Sequence, residues 1–118
     1  MAKIDDLVNL VLQIEGVINY ILVREDGHTL SHDFENIETL PSIITFSGLN
    51  SEVLKPIMGL TYFKYLSYTR ENNEKLLIFP LGKYFIGILQ DAEAYTPDIV
   101  DTMEKIIESI TQKRQRND

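Results

Sequence analysis

The chain has 118 residues, 44% of them hydrophobic and 25% charged, with six glycines, four prolines and no cysteine. That length suits one domain burying about two thirds of its unfolded surface in a single core, and the lack of cysteine excludes disulfides, thiol catalysis and thiolate-bound metal. The net charge of -7 argues against nucleic acid as a partner, because phosphate binding needs a concentrated positive surface.

Ile4, Leu7, Val8, Val11 and Ile14 recur at helical spacing, so 4–14 is predicted to be an amphipathic helix closed by Gly16. Asp5 and Asp6 lie in its first turn and suit the helix dipole. The run Val17 to Arg24 reads as a strand, and Asp26-Gly27 reads as a type I′ hairpin turn into a short strand from Thr29 to His32. Thr39 and Pro41 then supply a capping hydroxyl and a first-turn proline for a second helix from Leu40 to Leu54. Pro56 is expected to end or kink it, with Gly59 completing the exit.

This middle helix carries more apolar surface than one sheet contact can use. At about 100° per residue, Leu40, Ile43, Ile44 and Leu54 gather on one arc and Phe46, Leu49 and Val53 on a neighbouring one. Thr45, Glu52 and Lys55 hold the polar side. A helix apolar over more than half its surface must be covered twice, once by its own core and once by a partner. Gly48 is unfavourable in a helix interior by about 1 kcal/mol relative to alanine and marks either a close approach by another backbone or a neutral exposed position.

Three strands follow, Tyr62 to Thr69, Lys75 to Leu81 and Tyr84 to Gln90, joined by connections short enough for hairpins. Thr96 and Pro97 open a last helix whose stripe of Ile99, Val100, Met103, Ile106, Ile107 and Ile110 requires a single cover. The domain is read as 1–112, with a basic polar tail at 113–118 that frays. The order helix, two strands, helix, three strands, helix implies an α+β domain built on a five-stranded antiparallel sheet. The apolar runs are too short to span a bilayer, and the N-terminal residues lack the pattern of a signal peptide, so a cytoplasmic location is expected.

Catalytic signals are weak. His28 and His32, four apart on an extended strand, stand about 13 Å from each other, too far to share one ion. Glu35, Glu38, Asp91 and Glu93 fall in predicted loops, and an acid–base pair would require them to converge. Ser31 and Ser47 lack a nucleophile-elbow pattern, and no glycine-rich phosphate loop is present. No enzyme activity, metal or cofactor is expected.

The element order, with Gly16-Val17 before the first strand, Asp26-Gly27 at the first hairpin and a final helix after a very apolar fifth strand, resembles the roadblock/dynein light chain family over about Ile4 to Ile110. That resemblance implies one helix on one sheet face and two on the other. It also implies homodimers or heterodimers that pair their third strands edge to edge and bring their middle helices together. On this basis the partner interface would hold Phe46, Leu49 and Val53 of the helix and Tyr62, Lys64, Tyr65 and Tyr68 of the edge. Many family members place alanine and other small residues where this chain has Phe46, Leu49 and Pro56, which implies a splayed helix pair or a different partner.

The function implied is that of a non-catalytic regulator or scaffold of a Ras-like small GTPase. Arg24 and Arg70 are the residues that could approach a GTPase as an arginine finger, though neither lies in a diagnostic context. Two alternatives are a motor-complex adaptor and a profilin- or GAF-like sensor of a small ligand. For the sensor, Asn19, Tyr20 and Tyr84 would be the polar groups.

Overall fold

The computed structural model describes the backbone of residues 2–59 and 64–116. Its elements in chain order are α1 (Ala2–Leu12), β1 (Val17–Arg24), β2 (Thr29–His32), α2 (Leu40–Met58), β3 (Leu66–Thr69), β4 (Lys75–Leu81), β5 (Tyr84–Gln90) and α3 (Thr96–Arg116). The strands form one antiparallel sheet in the order β2-β1-β5-β4-β3. The two most apolar strands, β4 and β5, therefore lie inside, and the two four-residue strands lie at the edges, where short strands limit unwanted pairing.

Strand alternation sends successive residues to two different cores. On one side Tyr20, Leu22, Leu77, Phe79, Ile86 and Ile88 pack with Leu7 and Val11 of α1 and with Ile99, Val100, Met103 and Ile106 of α3. On the other side Ile21, Val23, Ile78 and Phe85 meet Ile44 of α2. One helix thus covers one face and two helices cover the other, in an α+β domain as the element order implies. Pro80 is accommodated because β3 pairs with β4 only from Lys75 to Ile78, leaving the edge beside Pro80 outside the ladder.

Several local details depart from the sequence reading. The β1–β2 turn is a three-residue loop rather than type I′: Arg24 accepts from the Gly27 N–H and donates to the His28 carbonyl, and Gly27 alone has a left-handed φ of 93°. Asp26 prefers to accept, taking the His28 backbone N–H and the Arg24 guanidinium instead of adopting positive φ. The β3–β4 loop repeats this geometry, with Arg70, Asn73 at φ 71° and Glu74 in the same roles.

Thr39 makes no side-chain cap and sits at helical angles, φ -91° and ψ -7°, so its carbonyl rather than its hydroxyl enters the helix bonding. α2 also continues through Pro56 to Met58 and closes on Gly59, whose N–H reaches the Lys55 carbonyl at φ 69°. A proline in the last turn sacrifices one hydrogen bond, and the left-handed glycine cap satisfies the carbonyl of Lys55, the residue just before the proline. Thr96 is a helical residue rather than a cap; its hydroxyl donates to Oε1 of the buried Gln90, and the Tyr95 carbonyl takes the first helical bonds. α3 runs from Thr96 to Arg116.

Candidate functional site

The face that α2 turns to the sheet is made of small and hydroxylic residues. Thr45, Ser47, Gly48 and Ser51 are buried beside Ile44. Burial is tolerable because the hydroxyls find partners: Thr45 Oγ1 donates to the Pro41 carbonyl at 2.9 Å, and Ser51 Oγ donates to the Ser47 carbonyl at 3.2 Å. Ser47 shares a 2.9 Å hydrogen bond with the Tyr68 hydroxyl, tying the helix to β3. Gly48 lies against the Phe85 ring, so close that a Cβ there would stand 2.4 Å from ring atoms. A side chain, not another backbone, is what comes near.

With the small residues inward, the large ones face out. Ile43, Phe46, Leu49, Val53, Leu54, Ile57 and Met58 are between 45% and 71% exposed. They form an apolar strip along the helix, interrupted by exposed Asn50 and flanked by Glu52 and Lys55, which pair with each other at 2.7 Å. Single exposed apolar residues are ordinary, but a strip of this kind marks an interaction surface.

Tyr68 of the edge strand β3 is 47% exposed; its hydroxyl bonds Ser47 of α2, and its side chain shares a groove with Ile43 of the strip. That groove, of about 470 Å³, is lined by Phe34, Ile37, Leu40, Ile43, Tyr68 and Leu76.

Phe46, Leu49 and Val53 lie on the exposed arc, where the sequence places the partner. Ile43 and Leu54, which periodicity assigns to the core, are exposed as well, and Thr45, assigned to the polar side, is buried. Ile57 and Met58 escape a reading that stops the helix at Pro56. Tyr68 stands at the edge, whereas Lys64 and Tyr65 precede β3 and make contacts inside the domain: Lys64 pairs with Glu104 of α3 at 3.1 Å, and the Tyr65 ring stacks on Phe79 at 5.7 Å. Tyr62 lies outside the described residues.

Groups with catalytic potential do not converge. Asp91 and Glu93 line a second depression beside Gly16 and Tyr95, while Glu38 lines the groove at the start of α2. Asp91 Oδ1 accepts the Glu93 backbone N–H in a local turn. Asn19 donates to Asp33, and the Tyr20 hydroxyl bonds Ser31, so two of the three groups considered for a sensor are engaged at the β1–β2 edge. Arg24 and Arg70 are each held in their own hairpins, by Asp26 at 2.7 Å and by Glu74 at 2.9 Å. The Arg24 hydrogen bonds hold the Asp26 carboxyl at about 2, below its usual 3.8. Among the described residues, no group of three or more histidines and carboxylates is placed to hold a metal, and no helix is long and apolar enough to cross a membrane.

A five-stranded antiparallel sheet with α2 on one face and α1 and α3 on the other is the roadblock-like α+β fold. The Roadblock/LC7 domain from Streptomyces avermitilis superposes with a TM-score of 0.74 at 14% identity, over 94% of this chain and 97% of that one. MglB from Myxococcus xanthus gives 0.73 at 16% identity over 94% and 90%. MglB in a tetrameric arrangement gives 0.76 at 14% over 94% and 87%. No family model matches the sequence, and no curated protein matches it.

Proposed function

We propose that this protein is a non-catalytic, cytoplasmic scaffold or regulator that acts as a homodimer and binds a Ras-like small GTPase. The carrying observation is the uncharged apolar strip of α2 together with the outer edge of β3. The fold supports the reading, since the roadblock family that the sequence resembles contains dimeric GTPase regulators, and MglB shares the fold. The dimer places Phe46, Leu49, Val53 and Tyr68 between protomers or against the GTPase. Lys64 and Tyr65 immediately precede that edge.

In mechanism, the dimer favours one arrangement of the GTPase switch segments by binding it more tightly than the other, and contributes no reacting group. Arg24 and Arg70, each already paired within its hairpin, are not suited to insertion into a nucleotide site. The test is retention of Ras-like GTPases, loaded with GTP or GDP, on the immobilised protein. Retention that differs at least tenfold between nucleotide states is expected. Equal retention in both states removes the regulatory mechanism, and no retention in either removes the GTPase.

A further inference from the structure

We infer that Asn50 sets the register between α2 and the α2 of a second copy, an inference that rests on the dimer reading above. Along the exposed strip, Ile43, Phe46, Asn50, Val53 and Ile57 recur at alternating steps of three and four, the spacing of the seam between two paired helices. Four of these positions are apolar. The polar one, exposed Asn50, stands one residue past the midpoint of a helix that runs from Leu40 to Met58. A single amide in an otherwise apolar seam weakens association but selects one alignment, because a shifted alignment leaves it facing hydrocarbon.

The occupant is a second copy because one symmetry operation satisfies two open features. Two copies of β3 that join one sheet edge to edge about a two-fold axis run antiparallel, and the axis stands perpendicular to the sheet. The same axis sets the two α2 helices side by side and antiparallel on one sheet face. The Ser47–Tyr68 hydrogen bond joins the middle of α2 to β3, so an axis beside β3 at Tyr68 passes alongside the middle of the helix, within a turn of Asn50. Asn50 then meets the same amide of the second copy, which offers both a donor and an acceptor. Charge agrees. Each chain carries -7, and the strip carries no ionisable side chain, so like-charged copies approach there without facing charges.

The chain contains no cysteine, so Asn50→Cys reports on the axis directly. A disulfide forms only where two Cα atoms come within about 7 Å. The experiment combines the light-scattering mass of the wild type, the rate of covalent dimer formation by Asn50→Cys against a control at exposed Ser109 (Ser109→Cys), and a dissociation titration of Asn50→Leu. The expected results are a wild-type dimer, cross-linking at position 50 at least tenfold faster than at 109, and about tenfold tighter association of Asn50→Leu with more than one set of amide resonances. A wild-type dimer in which position 50 cross-links no faster than 109, or in which Asn50→Leu keeps the wild-type affinity and a single set of resonances, overturns this inference and leaves the dimer standing. A wild type that stays monomeric at every concentration overturns both.

Discussion

At the scale of single residues, Gly48 controls how closely α2 approaches the sheet. Its helix propensity argues for replacement, since alanine would gain about 1 kcal/mol. The Phe85 ring argues against it, because a new Cβ would overlap atoms of a side chain only 4% exposed, and overpacking of that kind costs about 1–3 kcal/mol. The second effect wins. Gly48→Ala is expected to lower stability in urea denaturation, and an unchanged or higher midpoint would show that Phe85 has room to move. Gly48 was visible in the sequence as an oddity, but its neighbour was not, since nothing local connects residues 48 and 85. Asp26 offers a second residue-scale prediction. Its folded-state pKa, depressed to about 2 from 3.8 chiefly by the Arg24 hydrogen bonds and the His28 N–H, means that its stabilisation is present above pH 3.8. That contribution fades as pH falls through about 2. Carboxyl titration followed by NMR should place the Asp26 midpoint near that value, and Arg24→Gln should return it towards 3.8. A midpoint unmoved by Arg24→Gln would assign the shift to another cause.

At the scale of elements, α2 shows what helical periodicity can and cannot reveal. The excess of apolar surface was legible, because it requires only counting residues around a cylinder. The choice of inward arc was not. Hydrophobicity alone assigns Ile43 and Leu54 to the core and Thr45 to solvent, whereas the helix sits close to the sheet on Ser47, Gly48 and Ser51. Small residues with hydroxyls bonded to their own helix pass for a polar face in sequence. Of the strand that the alternating tyrosines suggest, Lys64 and Tyr65 precede the ladder and turn to Glu104 and Phe79. The exposed arc yields a clean test. Phe46 and Val53 are 69% and 62% exposed and contribute little to the monomer's core. Phe46→Glu with Val53→Glu should therefore halve the light-scattering mass while leaving the circular dichroism spectrum unchanged. A double mutant that remains dimeric would move the interface elsewhere on the surface.

At the scale of the whole molecule, the two faces of the sheet are unequally covered. Among the described residues, α1 and α3 enclose a core of twelve buried residues, whereas α2 encloses five. The overall architecture was readable because strand alternation, hairpin-length connections and two single-striped helices all point to one antiparallel sheet, and such agreement across levels is what specifies a fold. The unequal coverage has a thermodynamic consequence. If the thin α2 layer is completed by a second copy, unfolding is coupled to dissociation and the melting temperature depends on concentration. A hundredfold increase in protein should then stabilise each chain by about 1.4 kcal/mol, raising the melting temperature by roughly 5 °C for a domain of this size. The Phe46→Glu, Val53→Glu double mutant should melt at one temperature whatever its concentration. The comparison separates a second copy from any other occupant of the strip, since a different partner would leave the isolated wild-type chain as insensitive to concentration as the mutant.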